Sequence, residues 1–248
     1  MKIAIIGYGR MGHEVEKAAV ARGHEIVCRI DKDNRGEFDS EAFASADAAI
    51  EFTIPTQAFD NVDECLRRGI PVVSGTTGWS ARFAETDARV AECKVPMVWA
   101  SNFSIGVNLF MHINRELARL AAGFPQYSAS MEEIHHIHKL DHPSGTAITL
   151  AEGIIAESRY TGWQETDGAT PDADPALLPV SHRREGEVPG THIIRWDSPA
   201  DTITLEHRAK NRSGFAMGAV YAAEWLAGAP GAPRRYSMTD VLESIFKK

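Results

Sequence analysis

The stretch Ile3-Ala4-Ile5-Ile6-Gly7-Tyr8-Gly9-Arg10-Met11-Gly12 decides the fold. Its four leading apolar residues read as a buried strand, and the six that follow spell G-x-G-x-x-G. In that context glycine has a physical purpose: without Cβ atoms the turn can approach a pyrophosphate at the N-terminus of the next helix. Val15, Ala18, Ala19 and Arg22 recur at helical spacing, and Gly23 closes the helix as a C′ residue. Glu25 to Ile30 is a second strand, and Asp31 falls at its end, nineteen residues beyond Gly12, where a carboxylate accepts from a ribose 2′-OH. The pairing predicts a dinucleotide site built from Gly7, Tyr8, Gly9, Arg10, Met11, Gly12 and Asp31. Asp31 repels a 2′-phosphate while Lys32 and Arg35 offset that repulsion, so NADH and NADPH both stand as the cofactor.

Outward from this unit the alternation continues. Ala48 to Thr53 reads as a strand, Thr56 to Arg68 as a helix with Phe59, Val62 and Leu66 on one face, Val72-Val73-Ser74 as a strand, Ala81 to Ala91 as a helix and Val95 to Ala100 as a strand. This is the grammar of a doubly wound parallel sheet. Ser74 to Gly78 and Ala100 to Ser104 follow strands, at the edge where open α/β sheets bind ligands. Gly75, Thr76, Thr77, Ala100, Ser101, Asn102 and Phe103 are therefore cofactor candidates, although either segment also reads as an ordinary strand-to-helix loop.

Beyond residue 104 the pattern turns to α+β: a helix carrying Phe110, Ile113, Leu117 and Leu120, strand-like content from Tyr127 to His138, and a helix opening near Thr146. Residues 160 to 190, rich in Pro, Gly, Asp and Glu, read as a long loop. Thr191 to Trp196 and Thr202 to Arg208 make a hairpin, Phe215 to Leu226 a last helix, and Ala227 to Pro233 a turn.

Composition narrows the function. Among 248 residues, Lys plus Arg number 26 against 34 Asp plus Glu, a net charge of −8 that argues against nucleic acid as a partner. No apolar run reaches the roughly 18 residues of a membrane span, and Met1 leads into a strand with no secretory segment before it, so a soluble cytoplasmic protein is expected. Cys28, Cys65 and Cys93 are odd in number and lie far apart, as free core thiols do.

The densest chemistry is Glu133-Ile134-His135-His136-Ile137-His138-Lys139-Leu140-Asp141-His142-Pro143-Ser144-Gly145-Thr146-Ala147, where four of the ten histidines fall within eight residues. Three readings compete. One is a polar strand with solvated imidazoles. A second is a metal site, with His136 and His138 on one strand face, but no H-E-x-x-H pattern or cysteine partner supports it, and no metal is expected. The third is an anion site, with Lys139 and the imidazoles supplying charge and protons and Pro143 to Thr146 opening a helix whose N–H groups would hold a carboxylate. Beside a nucleotide domain, that third reading suggests a small carboxylate substrate reduced with a histidine as acid.

The chain resembles the 4-hydroxy-tetrahydrodipicolinate reductase (dihydrodipicolinate reductase) family. The resemblance rests on Glu133 to Ala147, with agreement at Gly9 to Gly12, Ser74 to Gly78, Asn102 to Asn108, Arg184-Glu185-Gly186 and Phe215 to Ala219. It implies an α/β chain with a Rossmann-like dinucleotide-binding domain at 1–104 and 215–248, and a central α+β domain with a mixed sheet at 105–214 for substrate binding and oligomerisation, in a homotetramer. It further implies His135 as proton donor or acceptor and Lys139 as the residue that assists protonation and holds one substrate carboxylate. His136 would contact substrate, while Gly145 with Thr146 would grip the other carboxylate. The implied reaction is NAD(P)H-dependent reduction of a cyclic dicarboxylate in the diaminopimelate route to lysine. The opening glycine turn is one residue shorter than in many members, and the segment between Gly190 and Leu205 is shorter than in longer ones. A cofactor-binding sensor, or another nicotinamide dehydrogenase, would use the first domain but leave the histidine motif unexplained.

Overall fold

In the computed structural model, which describes residues 1–167, 174–228 and 231–246, Ile3 and Ile5 of β1 (Lys2–Ile6) pack on one face of a sheet and Ala4 and Ile6 on the other. Both faces are covered, which is why the strand reads as an unbroken apolar run. The chain divides into two compact units, Met1–Ile105 with Arg212–Lys248, and Gly106–Asn211.

The first unit contains α1 (Arg10–Ala21), β2 (Glu25–Ile30), α2 (Glu41–Ala44), β3 (Ala48–Glu51), α3 (Pro55–Arg67), β4 (Val72–Ser74), α4 (Phe83–Cys93), β5 (Met97–Trp99), α7 (Ser213–Ala227), β11 (Arg235–Tyr236) and α8 (Met238–Phe246). Its six strands, in the order β11-β5-β4-β3-β1-β2, are all parallel. From β1 the chain moves outward to β2 and then returns to β3 on the other side, so Gly7 sits at the switch point where such sheets bind ligands. Ile3, Ile5, Ile50, Val73 and Val98 meet α1 and the small residues of α7, while Ala4, Ile6, Ala49, Val72 and Met97 meet Val62, Cys65 and Leu66 of α3 and Val90 of α4. Removing the bulk of one such side chain typically costs about 2–5 kcal/mol. The α2 segment, β11 and α8 carry too few residues of clear period to stand out in the sequence. The three cysteines are free, Cys28 and Cys65 buried.

The second unit is built on α5 (Ile105–Ala121), β6 (Ser128–His135), α6 (Gly145–Glu157), β7 (Gly162–Thr166), β8 (Leu177–Arg184), β9 (Thr191–Asp197) and β10 (Thr202–Arg208). Its sheet has the order β10-β9-β6-β8-β7 and is mixed, with β6 antiparallel to β9 and parallel to β8. Phe110 and Ala118 of α5 and Leu150 and Ile154 of α6 pack on Met131, Leu178, Val180, Ile194 and Trp196.

Two expectations need correction. The stretch from 160 to 190 is not a plain loop, since it contributes β7 and β8, paired in parallel; residues 168–173 lie outside the described residues. Pro179 masked β8, yet it precedes Val180, where pairing with β6 begins, so its missing N–H breaks no bond on that side. The strand expected to reach His138 ends at His135, so His136 and His138 do not alternate on a strand face. The expected turn from Ala227 to Pro233 falls partly on Ala229 and Pro230, also outside the described residues.

Candidate functional site

In the first unit the three glycines of the opening turn differ in what surrounds them. Gly7 has φ +88°, and a Cβ there would stand 2.0 Å from the Phe52 carbonyl oxygen; one on Gly12 would stand 2.3 Å from the Gly7 oxygen. A Cβ on Gly9 would meet nothing within 4 Å. Gly7 therefore lets the turn pack against the backbone that follows β3, Gly12 lets it close on itself, and Gly9 leaves open space at the N-terminus of α1, which has no side-chain cap. This is the shape that admits a pyrophosphate. A cavity of about 520 Å³ extends from Gly7, Tyr8 and Gly9 to Asp31, Lys32 and Arg35, and a second of about 360 Å³ is lined by Gly9, Arg10, Met11, Gly75, Thr76 and Thr77.

Asp31 turns its carboxylate back on the turn, accepting from Tyr8 N at 3.3 Å and Lys32 N at 2.8 Å. Arg35 donates to Asn61 Oδ1 at 2.6 Å. Ala100, Ser101, Asn102 and Phe103 follow β5, and the Asn102 side chain accepts from Ser104 N at 2.9 Å. They are not among the residues lining the two cavities.

Sequence reasoning passed over Glu51. It is fully buried at the end of β3 and accepts from Ser74 Oγ at 2.5 Å, Thr76 Oγ1 at 2.7 Å and Thr53 N at 3.0 Å. It ties together the loops that bear Thr53 and Thr76, and burial pushes its carboxyl up against the hydrogen bonds that lower it. The available signal was a lone acid ending the apolar run Ala48-Ala49-Ile50.

In the second unit, β6 delivers Glu133 and His135 to the core face. Glu133 has no exposed surface; it accepts from Ser144 N at 3.1 Å and from Arg184 Nη2 at 3.2 Å. His135 Nδ1 lies 3.2 Å from Glu133 Oε2, off the line of an ideal donor. Burial works to raise the Glu133 carboxyl, but the interactions with His135 and Ser144 outweigh it and hold it at about 2. His192, on β9 opposite Glu133, stands edge-on to His135 with centroids 5.2 Å apart and reaches Ser144 Oγ at 3.2 Å. Burial, helped by the positive charges of His135 and Lys139, pulls its pKa down to about 4, so it is neutral.

Gly190 flanks the other side of His135: with φ +149°, a Cβ there would be 2.9 Å from His135 Nε2. Lys139 is held by Asp141, with Nζ at 2.8 Å from both carboxylate oxygens. Arg184 donates from Nε to the Lys139 carbonyl at 3.2 Å and from Nη2 to the Asp141 carbonyl at 2.7 Å, fastening this segment to Glu133. Ser144 caps α6, its Oγ accepting from Ala147 N at 3.2 Å, so Gly145 and Thr146 form the first turn, where N–H groups point out of the helix. His136 Nδ1 is buried without a hydrogen-bond partner, and its ring lies 5.9 Å from that of His138.

His135, Lys139, Gly145 and Thr146 thus belong to one locality, organised by Glu133, Arg184 and His192. None of these three organisers was singled out as a site residue from the sequence. His192 and Arg184 arrive from strands some fifty residues away, which no local spacing reveals.

The first and second halves of the chain match family descriptions. Residues 1–103 match the N-terminal domain of dihydrodipicolinate reductase and residues 106–242 its C-terminal domain. The 4-hydroxy-tetrahydrodipicolinate reductase of Christiangramia forsetii is 44% identical over 248 residues, covering 100% of both chains. The protein of the same name from Archaeoglobus fulgidus is 36% identical over 265 residues, covering 98% of this chain and 100% of its own. Among solved structures, dipicolinate-bound dihydrodipicolinate reductase from Paenisporosarcina sp. TG-14 has the same fold, with a TM-score of 0.74 at 22% identity, covering 97% of this chain and 98% of its own. With both halves matched and full-length relatives this similar, the chain belongs to the dihydrodipicolinate reductase family.

Proposed function

We propose that this protein reduces 4-hydroxy-tetrahydrodipicolinate to tetrahydrodipicolinate in the diaminopimelate route to lysine, with NADH or NADPH as reductant. Membership of the family supports the reaction, and the buried Glu133–His135–His192 cluster beside the first turn of α6 is the observation that carries it to these residues. The reduced nicotinamide, when bound, supplies the hydride. The open face at Gly9 and the cavity reaching Asp31 suit such a dinucleotide, with Gly75, Thr76 and Thr77 along its path and Ala100 to Phe103 as further candidates.

Balance requires one proton for each hydride added to the ring, and water leaves from the 4-hydroxy position. Glu133, anionic above pH 2, faces Nδ1 of His135 and favours the tautomer with its proton there. Nε2, on the Gly190 side, is then the atom from which the imidazolium delivers its proton to the ring carbon, leaving the neutral Nδ1–H tautomer facing Glu133. Lys139 exchanges its exposed partner Asp141 for a substrate carboxylate, and the amides of Gly145 and Thr146 hold the second, with His136 alongside. Neutral His192 packs against His135 without adding a competing charge.

No helix among the described residues is long and apolar enough to cross a membrane, in keeping with a cytoplasmic enzyme. Exposed Ile113, Leu120, Phe124 and Ile203 of the second unit offer apolar surface for a homotetramer, which sedimentation would test. The reaction itself is tested by following NADH and NADPH absorbance separately with freshly generated substrate. Rapid substrate-dependent oxidation supports the proposal and assigns the cofactor; no oxidation by folded protein that binds a cofactor moves it to a sensor or another dehydrogenase.

A further inference from the structure

Three side chains far apart in the sequence converge at the β7 edge of the second unit's sheet. Glu165 projects from β7, His182 from β8, and His142 comes from the segment between β6 and α6. His142 Nδ1 lies 2.6 Å and His182 Nδ1 2.7 Å from the same oxygen, Glu165 Oε1. The two imidazoles are stacked, 4.3 Å between centroids and 18° between planes.

A hydrogen-bonded carboxylate explains only half of this. His142 makes a hydrogen bond to Glu165, but His182 Nδ1, although 2.7 Å from the carboxylate and shut off from solvent, is not aligned on it and has no hydrogen-bond partner. Burying a polar nitrogen without a partner is costly. Two imidazole nitrogens and one carboxylate oxygen, all within 4.8 Å of one another, are the donor set of a borderline divalent ion, and one cation would satisfy all three at once.

We propose that His142, Glu165 and His182 bind one divalent transition-metal ion, Zn2+ by preference, with a remaining position for water. Zinc bonds of about 2.0–2.1 Å place tetrahedral ligands about 3.3 Å apart, so the nitrogens must withdraw from the oxygen by less than about 1 Å and the stacked rings must turn out of parallel to bring both in-plane lone pairs onto the ion. The side chains are 48%, 36% and 29% exposed, which leaves the ion a path from solvent. The neighbouring Glu133–His135–His192 group is a poorer host, because Glu133 already accepts from Arg184 and Ser144 and the guanidinium repels a dication. The ion would pin the segment that carries Lys139 and Asp141 to β7 and β8. No spacing motif announces the site, because its ligands come from three separate elements.

The test is calorimetric titration of ZnCl2 into untagged, chelator-stripped full-length protein, free of dicarboxylates. One ion per chain is expected, with affinity weakened at least about tenfold in Glu165→Gln and His182→Ala and unchanged in His135→Ala. Circular dichroism checks that each variant is folded, and His142→Ala, outside the strands, repeats the test without disturbing the sheet. Absence of saturable binding in the wild type overturns the proposal. So does undiminished affinity in the three ligand variants, or binding lost in His135→Ala. Each outcome is independent of whether the protein reduces its proposed substrate.

Discussion

Taking a carboxylate out of water costs several kcal/mol unless its oxygens find donors. Glu133 is fully buried, which raises its carboxyl, yet the His135 ring and the Ser144 hydroxyl and N–H outweigh that and hold it near a pKa of 2, while the Arg184 guanidinium donates to its other oxygen. Glu133→Gln keeps the shape and removes the charge, so turnover should fall roughly a hundredfold or more while nucleotide affinity stays unchanged, as steady-state kinetics and a separate binding titration would read. On the opposite side of the ring, Gly190→Ala puts a methyl group 2.9 Å from His135 Nε2 at a φ that side chains avoid. The expected outcome is a large loss of turnover with stability lowered by only about 1–3 kcal/mol, measured by urea unfolding. Were activity to survive, Nε2 would not be the proton-exchanging atom.

Elements carry these residues into place, and α7 shows how narrowly. A Cβ on Gly218 would lie 1.7 Å from the Phe103 carbonyl oxygen, a backbone atom with nowhere to go. Gly218→Ala should therefore destabilise the first unit by several kcal/mol or abolish its folding, seen as a drop in the urea midpoint or in folded yield. What was legible in the sequence follows the range of the forces involved. The β1 turn was readable because its pattern is local: a buried strand, Gly12 whose Cβ would clash with Gly7, and Asp31 at the next strand end, whereas the Phe52 carbonyl that Gly7 must clear lies far off in sequence. The hairpin of β9 and β10 was readable for the same reason. β8 was not, because its apolar face amounts to Leu178 and Val180 around Pro179, and its support comes from β6, far away in sequence. The motif from Glu133 to Ala147 marks the segment proposed as the site, but the organisers His192 and Arg184 reach it only through sheet pairing.

For the whole molecule, the buried cluster links stability to pH. His192 titrates near 4 in the folded chain against about 6.5 unfolded, so its contribution is complete above pH 6.5 and is lost as pH falls from 6.5 to 4. Glu133 contributes fully above about 4.5, and that contribution is lost as pH falls towards 2. Each is worth on the order of 3 kcal/mol at most, and because the groups interact the two losses merge into one broad decline on the acid side. Urea unfolding at a series of pH values should show it, and His192→Asn should flatten the limb between 6.5 and 4. The central claim is that His135 moves the proton in a reductase whose nucleotide is held by other residues. Its most direct measurement is substrate-dependent NAD(P)H oxidation by His135→Ala beside the wild type, with nucleotide binding to both determined by fluorescence. The account predicts turnover reduced by roughly 10²–10⁴-fold at unchanged nucleotide affinity; near-wild-type turnover, or affinity lost in step with activity, would contradict it.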